Sequence, residues 1–176
     1  MRILHQRKFI RLKDYDYSRE GLYFVTICTQ NRECLLGDIV GTTRGSSAHM
    51  ELNETGKIIE NIWESLPDHH PVELDVFQIM PNHIHFIIQI VDTGRSRPTP
   101  TLGTIVGLFK SECTKQINIV VGTTRGSSAR GSSIWQRNYY EHIIRNEVDL
   151  NKIREYILFN PQMWERDRNN LKNHLI

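Results

Sequence analysis

The stretch MPNHIHFII, residues 80–88, places two histidines inside an otherwise apolar run. Side chains alternate between the two faces of a strand, so His83 and His85 are predicted to share one face. Ile84 and Phe86 then point to the opposite face, where they are expected to enter a core. Two imidazoles on one face can bind the same cation, but such a pair is more often a surface or packing feature. A third ligand is needed before the pattern indicates a metal site.

The segments around this strand alternate between extended and helical patterns. β-Branched and aromatic runs predict strands at 23–29, on both sides of a break near Pro81 within 73–91, and at 133–145. Apolar residues at helical spacing predict helices at 53–66, 101–118 and 149–161. This order predicts an α+β domain of the ferredoxin-like or RRM-like type, in which helices pack on a mostly antiparallel sheet.

Composition and charge are those expected of one soluble domain over residues 1–176. The formal net charge is +2, which permits a nucleic-acid partner without requiring one. The three cysteines form no CxxC pair, so neither a disulfide framework nor a thiolate zinc site is predicted. No run reaches the roughly 18 apolar residues of a membrane span, so no membrane partner is expected. A reducing cytoplasm fits these features.

The sequence VGTTRGSSA occurs twice, at 40–48 and at 121–129. Its glycine, serine and threonine content cannot build a core, so flexible loops are predicted near 40–48 and 121–133. We interpret the copies as translated insertions of a repeated DNA element, outside the working part of the protein. The alternative is an arginine-bearing loop that contacts DNA.

The last predicted helix offers further candidate ligands. Tyr156 and Asn160 are four residues apart and therefore lie on one face of that helix. Ile153 and Ile157 share this face, so it is expected to lie against the sheet. The helix could carry the Tyr156 hydroxyl and the Asn160 amide oxygen towards the histidines. From the spacing alone, a core tyrosine in an apolar stripe is the favoured interpretation of Tyr156.

The sequence resembles the REP-associated branch of the single-tyrosine HUH transposases. PNHIHFII is similar to the family's His-hydrophobic-His motif, and residues 134–161, IWQRNYYEHIIRNEVDLNKIREYILFNP, are similar to its C-terminal segment. Residues 11–37 resemble the family's N-terminal opening, and residues 107–118 resemble its middle helix. The resemblance covers most of residues 7–165 apart from the repeat-bearing loops, and the distance between the two motifs makes it specific.

The resemblance implies a role for each matched residue. His83 and His85 become the metal-binding pair, Tyr156 the nucleophile and Asn160 the third metal ligand. Insertion-sequence relatives usually carry glutamine at the position of Asn160, and the Asn-Pro found here points to the REP-associated branch. The fold implied by the family is the ferredoxin-like arrangement predicted above.

The implied reaction is cleavage and rejoining of single-stranded DNA near hairpins, through a 5′-phosphotyrosine intermediate. Two imidazoles, an amide oxygen and waters suit Mg²⁺ or Mn²⁺ and would also accept Zn²⁺. Unpaired bases are expected to stack on an aromatic side chain such as Trp135. The residues expected to contact DNA phosphates are Arg7, Lys8, Arg11, Lys110, Lys115 and Arg137. Taken singly, each of them fits a solvated basic face at least as well. The sequence leaves open whether the working unit is a monomer or a homodimer.

Two other functions compete with the transposase reaction. One is a non-catalytic module that binds single-stranded nucleic acid on the same fold, which would need exposed aromatic side chains on the sheet. The other is a metal nuclease that uses bound water, with a structural Tyr156. A covalent protein–DNA adduct separates these alternatives, because only the transposase reaction forms one.

Overall fold

The structure is a computed structural model that describes residues 15–41, 48–91, 99–125 and 133–174. Its strands are β1 Gly21–Cys28, β2 Gly37–Val40, β3 His49–Leu52, β4 Val72–Met80, β5 His83–Ile90 and β6 Tyr140–Ile144. Its α-helices are α1 Glu54–Glu64, α2 Leu66–His69, α3 Leu102–Arg125 and α4 Glu147–Phe159. Short 3-10 helices lie at Gln30–Arg32, Pro161–Arg166 and Leu171–His174. Among the helices described, none is both long and apolar enough to cross a membrane.

Four strands form one antiparallel sheet in the order β4-β5-β1-β6. The strands β2 and β3 form a separate two-stranded hairpin between β1 and α1. Without this hairpin the chain follows the split βαβ order, β1-α1-β4-β5-α3-β6, with β1 and β5 in the centre. The predicted α+β fold, an antiparallel sheet with helices packed on it, is confirmed.

Apolar side chains cover both faces of the sheet. The main core includes Ile84 and Phe86 of β5, together with residues of α1 and α3. A smaller cluster on the other face joins Ile87 of β5 to Ile157 of α4. The predicted alternation along β5 is therefore correct, and the two histidines lie on the face that α4 covers. A site on this face is shielded from water by the helix above it.

The strand predicted at 133–145 is wrong in its first half. Only Tyr140–Ile144 is a strand, and Trp135 makes a single bridge to Thr29 of the neighbouring chain segment. The Lys110 ammonium on α3 donates hydrogen bonds to the next two backbone carbonyl oxygens, those of Gln136 and Arg137. The Lys110 side chain therefore bonds the carbonyls that a neighbouring strand would bond in a sheet. β-Strand propensity does not predict such a contact.

The two repeat copies have different surroundings. The first copy falls between β2 and β3, and its residues 42–47 lie outside the described part of the chain. In the second copy, the loop predicted near 121–133 is wrong for residues 121–125, because α3 continues to Arg125. A helix already formed gains a hydrogen bond for each residue added, which offsets the cost of one glycine, about 1 kcal/mol. Residues 126–132 lie outside the described ranges.

The start of α1 is fixed by a cap and by a close backbone contact. The Asn53 side chain accepts a hydrogen bond from the Gly56 N–H at 3.0 Å and thereby caps the helix. A Cβ atom at Gly56 would lie 2.4 Å from the carbonyl oxygen of Leu36, just before β2. Gly56 is therefore the residue that lets α1 pack against the chain leading into the hairpin.

We expect Gly56→Ala to destabilise the protein by about 1–3 kcal/mol, because the added methyl group overlaps a backbone oxygen. Gly107→Ala in α3 is the matched control, since a Cβ there has no neighbour within 4 Å. That change should stabilise the helix by about 0.5–1 kcal/mol. Urea denaturation monitored by circular dichroism measures both effects. Equal changes for the two variants would contradict the packing assigned to Gly56.

Candidate active site

Two buried imidazoles form the centre of the site. His83 and His85 begin β5 and are 0% and 1% exposed. Their Nε2 atoms lie 3.0 Å apart, so both rings direct the same atom to one point. This is the convergence on one strand face that the HxH spacing predicts.

A hydrogen-bond network around Asn82 fixes the orientation of the first ring. The Asn82 amide donates both of its N–H groups to the carbonyl oxygens of Arg32 and Asn169, at 3.0 and 2.8 Å. Its Oδ1 is thereby left to accept from Nδ1–H of His83 at 2.9 Å. With the proton on Nδ1, a neutral His83 presents a lone pair at Nε2. Second-shell bonds of this kind orient histidine ligands in metal sites.

The second ring is held between a hydroxyl group and the candidate nucleophile. His85 Nδ1 lies 2.8 Å from the Thr26 hydroxyl of β1, which can accept its proton. In that tautomer, Nε2 of His85 also carries a lone pair. The same Nε2 is 3.4 Å from the hydroxyl oxygen of Tyr156. Strand β5 and helix α4 therefore bring the predicted tyrosine next to the predicted histidine pair.

Burial sets the protonation states of these groups. It lowers the pKa of His83 to about 3 and that of His85 well below its usual value. Both rings are neutral at pH 7, as metal ligands must be. Burial, and then the negative charge of Asp167, raise the pKa of Tyr156, so its hydroxyl is protonated at neutral pH.

Asp167 is the site residue that the sequence analysis missed. Its side chain is 4% exposed, and its Oδ2 lies 3.8 Å from Nε2 of His83. Its Oδ1 accepts a hydrogen bond from the Asn169 N–H at 2.5 Å. Ligand atoms of His83, His85 and Asp167 all lie within 4.8 Å of one another. The 3-10 turn after α4 brings the carboxylate back, and no residue spacing connects it to the histidines.

Asn160 completes the group of donors. It caps the C-terminal end of α4, its side chain is buried, and no donor among the described residues is placed to hydrogen-bond its Oδ1. It lies near enough to His83 and Tyr156 to influence the pKa of each. A buried amide oxygen without a donor is costly unless a cation contacts it. Two imidazole nitrogens, a carboxylate oxygen and this oxygen are a donor set that fits a divalent metal ion.

An ion pair fastens the tyrosine-bearing helix to the sheet. Arg154 of α4 donates from Nε and from a terminal nitrogen to the carboxylate of Asp75 on β4. The buried side chain of Ile157, on the same helix, packs in the smaller apolar cluster on the sheet. Tyr156 itself is 44% exposed, so the interpretation as a core tyrosine is wrong. Its hydroxyl faces the histidines while part of the ring remains open to solvent.

The residues predicted to bind DNA fall into two groups. Lys110, Lys115, Trp135 and Arg137 all line one cavity of about 490 Å³, between α3 and the segment before β6. Stacking of bases on Trp135 is contradicted, because its ring is 1% exposed and belongs to the core. Lys110 already donates to two backbone carbonyls, and Lys115 lies 3.6 Å from Glu112. The second group, Arg7, Lys8 and Arg11, lies outside the described residues.

Comparison with known proteins decides which family has this arrangement. The model of the family described as "Transposase IS200 like" matches residues 22–160, a span that contains both histidines, the tyrosine and Asn160. The chain belongs to the IS200-like transposase family. An uncharacterised protein of Haemophilus influenzae is 39% identical to this transposase, over 94% of this chain and 93% of its own length.

Other relatives point to one branch of this transposase family. A Haemophilus influenzae protein named "Putative REP-associated tyrosine transposase" is 27% identical, over 83% of this chain and 73% of its own. The structure of a REP-associated tyrosine transposase bound to a REP hairpin has a similar fold, with TM-score 0.53 and 20% identity over 86% and 72% of the two chains. A Deinococcus radiodurans structure described as a "putative transposase" has TM-score 0.50 and 16% identity over 84% and 94%. The resemblance found in the sequence is confirmed, and the chain has a transposase role in DNA processing.

We expect the metal-free protein to lose stability as the pH falls from 7 to 5. In the unfolded chain the two histidines take up protons near their ordinary pKa of about 6.5, whereas the buried rings of the native state do not. Unfolding therefore becomes easier as the pH falls. The double variant His83→Gln/His85→Gln should show a shallower decline. Urea denaturation in the presence of a chelator measures the free energy of unfolding at each pH. If this free energy falls equally steeply with pH in both proteins, the rings are not buried and neutral.

Proposed function

We propose that this transposase cleaves and rejoins single-stranded DNA with Tyr156 as its nucleophile. One observation carries the proposal: the Tyr156 hydroxyl lies 3.4 Å from His85 Nε2, beside a buried set of donors. A nucleophile next to a candidate metal site is the arrangement that phosphoryl transfer requires. The site residues in the proposal are Tyr156 for attack, and His83, His85, Asn160 and Asp167 for the metal.

The reaction exchanges one phosphodiester bond for another. The Tyr156 hydroxyl oxygen attacks the phosphorus, the bond between phosphorus and the 3′ oxygen breaks, and the leaving 3′ oxygen takes up a proton. The product is a 5′-phosphotyrosine and a free 3′-hydroxyl. Attack by a 3′-hydroxyl reverses the step and rejoins DNA, so no nucleotide triphosphate is consumed. The chain accordingly has no GxxxxGK[ST] motif.

The chain's own residues prepare this step in three ways. The Asn82 and Thr26 contacts keep both Nε2 atoms directed at one point. Helix α4 positions the Tyr156 hydroxyl there, while the residue as a whole stays 44% exposed to the solvent from which DNA would approach. A divalent cation, which we propose to be Mg²⁺ or Mn²⁺, would polarise a non-bridging phosphate oxygen when bound by the four donors.

The surroundings of the site favour this proposal over a non-catalytic binding module. Such a module presents aromatic side chains on an open sheet. Here α1 and α3 cover one face of the sheet, and α4 covers the other. The proposed ligand is hairpin-bearing single-stranded DNA, since one similar structure is described as bound to a REP hairpin. Because one chain brings the tyrosine to the histidines, we propose that a monomer holds a complete site.

Purified protein, Mn²⁺ and end-labelled single-stranded DNA with the hairpins that flank its gene should give a covalent protein–DNA adduct on a denaturing gel. Tyr156→Phe and His83→Ala/His85→Ala should each abolish the band, because one removes the nucleophile and the other removes the metal. Tyr139→Phe is the matched control and should retain it. Cleavage by Tyr156→Phe without an adduct would favour the water-using nuclease. Binding without cleavage by the unmodified protein would favour the binding module.

We expect Asp167→Asn to weaken Mn²⁺ binding by about tenfold or more, because it removes the only negative charge from the proposed donors. Isothermal titration calorimetry in the absence of DNA measures this without relying on activity. Asp149→Asn is the control, since Asp149 pairs with His142 away from the site. Equal Mn²⁺ affinity of Asp167→Asn and the unmodified protein would remove Asp167 from the ligand set.

A further inference from the structure

An open cleft of about 500 Å³ lies beside the candidate nucleophile. Its walls include Tyr140 of β6, Tyr156 of α4, and Met163, Arg166 and Arg168 of the segment that follows α4. Asp167 and Asn160 also line this cleft, so it opens directly onto the proposed metal donors. DNA that approaches Tyr156 from solvent has this cleft next to it.

The cleft combines exposed apolar surfaces with positive charge. Tyr140 and Met163 are 45% and 47% exposed, although both have large apolar side chains. The Tyr140 ring packs edge-on against Phe24, at 6.0 Å between centroids and an interplanar angle of 68°. The Arg168 guanidinium carbon lies 6.0 Å from the Tyr140 ring centroid. An exposed aromatic ring that packs against Phe24, with one guanidinium group near its centroid and a second lining the same cleft, is a suitable surface for an unpaired base and its phosphate.

We propose that this cleft binds one nucleotide adjacent to the scissile phosphate, with its base stacked on Tyr140 and its phosphates contacted by Arg166 and Arg168. Met163 would cover the edge of the base with its flexible thioether side chain. The ligand class is single-stranded DNA with an unpaired base at this position. The proposal rests on the role proposed for Tyr156, because the cleft is placed relative to that nucleophile.

The segment that supplies the arginines is tied firmly to the rest of the protein. Asn82 donates to the carbonyl oxygen of Asn169, and Arg32 donates to that of Arg168 at 3.2 Å. Asn170 donates from its side chain to the carbonyl oxygen of Trp164 at 3.1 Å. The matched family region ends at residue 160. Met163, Arg166 and Arg168 therefore follow the span that the family model matches, whereas Tyr140 lies within it.

Photocrosslinking tests the contact directly. All proteins carry Tyr156→Phe to prevent cleavage, and the probe is oligothymidylate containing one 5-iodo-2′-deoxyuridine. After irradiation, mass spectrometry should locate the crosslink at Tyr140. In fluorescence anisotropy, Tyr140→Ala should weaken binding about tenfold and Tyr140→Phe should retain it, because stacking on an aromatic ring contributes about 1–3 kcal/mol per base.

Two exposed residues outside the cleft provide matched controls. Phe159→Ala removes an exposed aromatic ring, and Arg145→Gln removes an exposed positive charge. Both should bind the probe like the parent protein, whereas Arg166→Gln should bind it more weakly and with a smaller dependence on salt concentration. Melting curves for each variant identify any that fails to fold, and Tyr140→Leu serves as a second, less disruptive removal of the ring.

The outcomes separate this proposal from the proposed reaction. If the unmodified protein forms the covalent adduct but Tyr140→Ala binds the probe normally and no crosslink maps to Tyr140, the nucleotide cleft is wrong and the reaction stands. If the crosslink maps to Tyr140 but no adduct forms on hairpin DNA, the cleft is correct and the role of Tyr156 is wrong. Equal loss of binding in Phe159→Ala and Tyr140→Ala would also overturn the cleft.

Discussion

The side-chain amide of Asn82 connects three segments that are far apart in the sequence. It donates to the Arg32 carbonyl after β1 and to the Asn169 carbonyl after α4, and it accepts from His83 on β5. Since Asn82 is fully buried, losing any of these bonds would leave a polar group unsatisfied, at a cost of about 1–3 kcal/mol. The orientation of the histidine and the position of the C-terminal segment are therefore fixed by one residue in the β4–β5 turn.

The protein places polar groups where burial is most costly. His83, His85, Asn160 and Asp167 are all buried at the edge of an apolar cluster, with the imidazoles held neutral. A carboxylate without an arginine or lysine partner among the described residues is expensive in such surroundings. A divalent cation would offset this cost, which is the physical reason to consider these residues together. Regions of a protein that conflict with its folding preferences in this way are often functional.

Much of the fold could be predicted because local patterns agree with the final packing. The period-two alternation of β5 and the helical spacing of apolar residues in α1 and α4 are all visible in the sequence. The predictions failed where contacts with distant groups override local preference. One example is the segment after Trp135, where the Lys110 side chain donates hydrogen bonds to the backbone carbonyls. The site was predictable to the extent that its residues share one strand or one helix face. Asp167 was not, because only the turn after α4 brings it to the histidines.

The order of the site residues along the chain has a consequence for synthesis. During synthesis the β4–β5 hairpin leaves the ribosome first, and Tyr156 on α4 follows it. Asp167 and its neighbouring arginines emerge last. Domains begin to fold while they are being made, and the chain can form its sheet before this final segment is available. A nascent chain that has reached Tyr156 thus holds the proposed nucleophile and two histidines without the carboxylate or the wall of the cleft. With the function proposed here, the protein would gain its complete site only at a late stage of its own synthesis.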